Sequence, residues 1–274
     1  MKSPQSPARW RLLAIPAALS VVSALAFAPL STSASAAPAA AFSDDFDGAA
    51  GSPADGSKWT YETGDNSGNN HERQWYTDGA ANAALDGEGH LVITAKKESS
   101  GNTCWYGPCE YTSARLNTSG KFSTNGGHIE VRMKLPRGQG MWPAFWMLGG
   151  ANWPGDGEID VVENIGKEPN TVHGTIHGPG YSGAGGIGAP YDGPNFSDDF
   201  HTYAVDWTDG KIVWSVDGNA YQTRTPADLN GNQWVYDHPF FLILNLAVGG
   251  DWPGDPDGNT QFPQQLVVDY VHVS

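Results

Sequence analysis

Three acids in the run Gly157-Glu158-Ile159-Asp160-Val161-Val162-Glu163-Asn164 are spaced so that they could act on one bond. On an α-helix, Glu158 and Glu163 would stand about 140° apart and face different ways. On a β-strand, Glu158 and Asp160 share a face while Ile159 and Val161 take the other. Strict alternation then sends Glu163 to the wrong side, because its offset from Glu158 is odd. A single β-bulge at Val161–Val162 returns it to the face of the other two acids, and bulges are enriched beside active sites. Three acids on one strand face repel one another, so no stability argument would place them there. A solvated edge or a calcium site is one reading of such a face, and acid catalysis is the other. The apolar residues on the opposite face and the aromatic cluster upstream favour catalysis: Trp142, Phe145, Trp146 and Trp153. Flat rings stack on pyranose faces, one carboxyl can protonate a leaving glycosidic oxygen, and a second can attack the anomeric carbon.

Strands must hold these residues. Apolar alternation or short apolar runs occur at His90–Ala95, His128–Leu135, Ile159–Ile165, Thr171–His177, Tyr203–Trp207, Ile212–Val216, Phe240–Val248 and Leu266–Val273. Asp209-Gly210 joins two of them into a hairpin. Phe240–Val248 is apolar nearly throughout, as in a strand buried on both faces, and it is far too short to span a membrane. With 35 Gly and 19 Pro in 274 residues, long helices are disfavoured. No internal repeat or second composition zone follows residue 41. The expectation is an all-β domain of two stacked antiparallel sheets.

Residues 1–36 read as a secretory leader: Lys2, Arg9 and Arg11, then an apolar stretch, then Ala34-Ser35-Ala36 before a cut at Ala37. Residues 37–274 then form a single domain, expected to be extracellular, free of the membrane and monomeric. The full chain carries a net charge of −15. Losing the leader's three basic residues leaves 12 basic against 30 acidic residues, a charge of −18. Such a surface repels nucleic acid, anionic membranes and sulfated polymers, so a neutral ligand is expected. Cys104 and Cys109 bracket a turn-like segment, and export makes a local disulfide the favoured reading.

The run Glu158-Ile159-Asp160-Val161-Val162-Glu163 resembles the E-x-D-x-x-E signature of family 16 glycoside hydrolases, in the bulged form of the laminarinase type. Trp142-Pro143-Ala144-Phe145-Trp146, Tyr111-Thr112-Ser113-Ala114-Arg115, Leu244–Gly250 and Val268-Asp269-Tyr270-Val271 are similar to further family segments. The resemblance runs from about Phe42 to the end. It implies a β-jelly-roll sandwich with a cleft across its concave face, and endo-acting cleavage of β-1,3-glucan by a retaining double displacement. Glu158 would be the nucleophile, Glu163 the general acid/base, and Asp160 an assisting acid. His177 would support the acids, although a satisfied core histidine fits the same position. Trp142, Trp146, Trp153 and Trp252 would stack on sugar; Arg115, Asn70, Glu72 and Gln74 would meet hydroxyls, with a salt bridge or an Asn-rich turn as the plainer readings. Asn245, alone and polar in an apolar strand, must be paired or face the cleft. No catalytic cofactor is implied. The family also implies a structural calcium held at Asp45, Gly89 and Asp269, whose oxygen donors suit that ion. Mixed-linkage glucan or agarose as substrate, transglycosylation, and a glucan-binding module without catalysis are the alternatives. The last would be marked by loss of Glu158 or Glu163, and both are present.

Overall fold

Alternation along the chain resolves into two sheets stacked on one apolar core, as expected for a jelly roll. The computed structural model describes Met1 and residues 41–274, so the expected leader, Met1 aside, lies outside the described residues. One sheet has seven antiparallel strands in the order Ile187–Asp192, Thr171–His177, Glu158–Asn164, Met141–Leu148, Phe241–Val248, Arg115–Asn117 and Thr60–Glu62. The other has ten. Its path runs Asn219–Arg224, Lys211–Val216, His201–Thr208, Gly127–Lys134, Gln264–Val273, Leu91–Lys97, Tyr111–Ser113 and Gln74–Tyr76, and the last pair is parallel. Among the described residues there is no α-helix, only three short 3₁₀ turns.

The sequence periods explain these elements. Gly127–Lys134 buries Ile129, Val131 and Met133 and turns its polar residues out. Phe241–Val248 is buried on both faces, with Leu242, Leu244 and Leu246 in the core. Phe42–Asp44 pairs with the last strand, Phe42 opposite Val273, so the first described strand is tied to the C-terminal strand by main-chain bonds. The expected disulfide joins Cys104 to Cys109.

Alternation slips once in the acidic strand, at the expected place. Phe145 pairs with Val162 and Trp146 with Asp160, leaving Val161 without a partner on that side. On the other side Asp160 pairs with Thr175 and Glu163 with His173. Val161 and Val162 are both buried. A residue from the opposite sheet reaches this bulge: the fully buried Trp214 donates its indole N–H to the main-chain oxygen of Asp160 at 2.8 Å. The ring fits because position 174 is glycine, where a Cβ would come within 2.3 Å of Trp214 and 2.5 Å of the Tyr221 hydroxyl.

Trp214→Phe keeps an aromatic ring and removes this donor. It is expected to cost about 1–3 kcal/mol in denaturant-induced unfolding, the range for a buried acceptor left without its partner. An unchanged unfolding midpoint would show that the bulge does not need the bond.

Candidate active site

The bulge places Glu158, Asp160 and Glu163 on the face of the seven-stranded sheet that turns away from the core. Glu158 stands opposite Leu148 and Glu163 opposite Ala144 on the neighbouring strand. Five steps along the acidic strand therefore match four on its partner, an even number, and both glutamates point the same way. Gly157, with φ +74°, turns the chain into the strand, and a Cβ there would come 2.8 Å from Val235.

Asp160 sits between the glutamates at 2 % exposure. His177, from the adjacent strand and in register with Glu158, brings Nε2 to 3.1 Å from Asp160 Oδ2 and 3.8 Å from Glu158 Oε1. The Tyr236 hydroxyl donates to the His177 carbonyl at 2.8 Å and fixes that strand end. Trp142 donates its indole N–H to Glu163 Oε1 at 3.0 Å. Burial pushes the Glu158 carboxyl up to about 8, helped by the neighbouring Asp160, while His177 and Trp153 favour its anion. Burial likewise raises Asp160 to about 7. Glu163 is raised well above the carboxylate range, first by burial and then by both other acids, against His177 and the Trp142 hydrogen bond. Burial favours the neutral form of all three, which eases the repulsion of acids sharing one face.

The other expected residues divide into two groups. Trp153 and Trp252 are exposed at 48 % and 39 %, and Trp252 packs edge-on against Trp142, with centroids 5.7 Å apart. Asn70 is exposed on the turn Asn66–His71 at φ +54°. These face solvent and can meet a sugar. Trp146 is half-buried, with the Arg115 guanidinium 4.8 Å over its ring and its indole N–H donated to Asn245 Oδ1 at 2.8 Å. Arg115 also pairs with Glu62 at 3.1 Å. Asn245 is thus a paired residue, donating in turn to the Tyr76 hydroxyl.

Glu72 and Gln74 depart from the expectation that they touch sugar. Gln74 has no exposed surface; it donates to Glu72 Oε2 at 2.7 Å and accepts from the Val248 amide at 2.7 Å. Glu72 is buried and accepts from Tyr76, Gln74 and Asn66. Together they tie the 66–76 segment to the sheet beneath the site. His173 was not anticipated. It stands opposite Glu163, its ring lies 4.9 Å from Trp252, its buried Nε2 has no hydrogen-bond partner, and burial holds its imidazole towards the neutral form. Its even offset from His177 on one strand was the available signal.

The expected calcium positions lie away from this face. A Cβ on Gly89 would stand 3.9 Å from the Asp45 carbonyl oxygen. The Asp45 carboxylate pairs with His272 at 2.7 Å, so Asp45 offers an ion its main-chain oxygen. Asp269 accepts from Arg132 through Oδ2. Gly89 and the Asp45 carbonyl are thus neighbours, and main-chain oxygen is a donor type that suits calcium.

Residues 69–272 match the model of glycosyl hydrolases family 16. A beta-glucanase of Rhodothermus marinus is 43 % identical over 249 residues, covering 85 % of this chain and 83 % of its own length. The laminarinase catalytic domain of Thermotoga maritima is 45 % identical with a TM-score of 0.79, covering 86 % of this chain and 97 % of that one. The endo-beta-1,3-glucanase of Pyrococcus furiosus is 44 % identical with a TM-score of 0.79, covering 85 % and 93 %.

The raised carboxyls set the sign of a pH effect. Glu158 and Asp160 bind protons more tightly folded than unfolded, so their contribution to stability is full below about pH 4 and is lost as pH rises through about 7 and 8. The substrate-free protein is expected to melt lower at pH 8 than at pH 5. Glu158→Gln should flatten that fall and exceed the native protein in stability at pH 8 while losing activity. Thermal melts at the two pH values check this, and parallel slopes for both proteins would refute it.

Proposed function

The chain belongs to glycosyl hydrolase family 16, and from that membership and its three-acid face we infer an endo-acting hydrolase that cuts internal β-1,3-glucosidic bonds of a neutral β-glucan. The observation that carries this reading is the bulged strand itself. It sets two glutamates and an aspartate side by side under Trp142 and against His177.

Each glutamate has His177 and one tryptophan N–H favouring its anion, but Glu163 feels the charge of both other acids whereas Glu158 feels that of Asp160 alone. Glu163 is therefore the harder to ionise and holds the proton that the leaving oxygen needs. As the bond from the anomeric carbon to that oxygen breaks, the Glu163 proton passes to the oxygen and Glu158 attacks the carbon from the opposite side. A glycosyl ester on Glu158 results. Water then attacks the same carbon, Glu163 takes its proton, and Glu158 leaves as the carboxylate, so configuration is retained. Asp160 and His177 hold the nucleophile and govern where the remaining proton sits. Exposed Trp153 and Trp252 supply stacking for a chain that enters from either end, as internal cleavage requires.

Proton NMR of linear β-1,3-glucan during digestion tests the mechanism. Early β-anomeric reducing ends are expected from the native protein and none from Glu158→Gln. An early α-anomer would sink the double displacement, and binding without any new ends would make the chain a glucan-binding module.

Export, a monomeric state and a structural calcium complete the proposal. The leader pattern supports the first, the net charge of −18 of the processed chain is compatible with the second, and the adjacency of Asp45 and Gly89 supports the third. Native mass spectrometry of protein collected from culture medium reads all three. A monomer starting at Ala37 and carrying one chelator-removable calcium is expected. A retained leader, a dimer mass or an ion-free mass in calcium buffer would each remove the corresponding part.

A further inference from the structure

Large apolar side chains are rarely left in water, yet among the described residues three tryptophans are: Trp105 at 46 % exposure, with Trp153 and Trp252. Trp153 and Trp252 serve the cleft described above. Trp105 has no part in the mechanism. It lies in the loop closed by the Cys104–Cys109 bridge, where the short strands Thr103–Cys104 and Gly107–Pro108 pair with each other.

Trp105 is held more firmly than a surface residue requires. Its indole N–H donates to the Glu72 carbonyl at 2.6 Å, its amide donates to the Asp65 carboxylate at 2.9 Å, and its ring lies 4.9 Å from His71. The ring's polar atom is satisfied and its plane is fixed, but nearly half its surface stays bare. A ring folded for stability would be turned inward, where its apolar area contributes most.

Contacts connect this ring to the cleft. His71 Nδ1 stands 2.9 Å from the Asp251 carboxylate, and the Asp251 amide donates to the Asn70 carbonyl at 2.8 Å. Asp251 precedes Trp252, which packs on Trp142, the donor to Glu163. Gly250 permits the close approach: a Cβ there would come 3.1 Å from the Asn70 oxygen and 3.2 Å from Trp142. A chain of contacts thus runs from Trp105 through His71, Asp251, Trp252 and Trp142 to Glu163.

We propose that Trp105 is a distal sugar platform, stacking on a glucose unit of a β-1,3-glucan chain beyond those held at Trp142 and Trp252, and that the Cys104–Cys109 bridge serves to hold it. This rests on the functional reading above and deepens it. A ring fixed before binding loses little entropy on contact, which is the use of a bridge spanning so short a loop. The platform acts only on chains long enough to reach it, so it sets a preference for length.

The test is kcat/KM on β-1,3-linked glucose oligomers from trisaccharide to octasaccharide for the native protein, Trp105→Ala, Trp105→Phe and the double variant Cys104→Ser/Cys109→Ser. In Trp105→Ala the ratio of long-chain to short-chain kcat/KM is expected to fall about tenfold, through KM with kcat held, as for one lost stacking contact. Trp105→Phe, which keeps a ring but loses the indole donor to Glu72, should restore part of the ratio, and the double serine variant should move it towards the alanine value. An unchanged ratio, or an equal loss at every length, would overturn the proposal while native turnover of long glucan stands. Failure of the native protein to cut β-1,3-glucan at all would instead overturn the functional reading on which it rests.

Discussion

One extra residue, Val161, which has no partner on the Met141–Leu148 side, decides whether Glu163 joins the other two acids of the active face. Without the bulge, Glu163 would point into the core beside Ile159 and only two acids would share a surface. The extra residue disturbs the ladder, and the Trp214 indole reaches across the sandwich to the main-chain oxygen of Asp160 at that point. Gly174, on the next strand, supplies the space for the ring. Bulge, donor and glycine come from three strands in two sheets, so the catalytic geometry is a property of the whole sandwich.

The tryptophans illustrate how one residue type serves three ends. Trp214 and Trp207 are fully buried and each donates to a main-chain oxygen, which fixes backbone. Trp142 and Trp146 are half-buried and donate to side chains, Glu163 and Asn245, which orients the site. Trp105, Trp153 and Trp252 keep open faces. The amphipathic ring permits this: its one polar atom can be satisfied inside while its face works outside. Behind Trp146 a chain of hydrogen bonds runs through Asn245, Tyr76, Glu72 and Gln74 to the backbone of Val248. Each buried polar group there has a partner, which makes the floor of the site rigid.

Much of this was legible because it follows from period and parity. Alternation located strands such as Thr171–His177 and Lys211–Val216 to within a residue, and the odd offset of Glu163 required the bulge that is present. The strand Met141–Leu148 was harder to read, since Pro143 argues against a central strand. It is tolerated because pairing with the acidic strand begins one residue later, at Ala144, so no ladder donor is needed from it there. Gln74 and Glu72 looked like sugar contacts because their residue types suit hydroxyls, but only burial separates a buried amide network from a binding surface. Trp214 gave no local sign of its partner: its bond to Asp160 spans 54 residues of sequence. Long-range pairing between sheets is what a single chain's pattern does not encode.

The preference for a neutral polymer follows from how the few cations are used. Arg115 is held by Glu62 and lies over Trp146; Arg73 pairs with Asp255 and Glu110 and covers Tyr106; Arg132 pairs with Asp269. Each of these guanidinium groups is matched by a carboxylate of its own, which leaves it little field to offer an anionic ligand. The chain as a whole carries an excess of acid, and burial favours the neutral form of the carboxyls on the active face, which eases their repulsion. A sulfated or carboxylated chain would approach this face against the net field and find no cationic partner in these three groups. An uncharged glucan pays no such penalty, because stacking and hydroxyl hydrogen bonds operate without regard to the protein's net charge. Burial, which raises the catalytic carboxyls, and the net acid charge, which disfavours an anionic chain, thus act toward the same uncharged substrate from different sources.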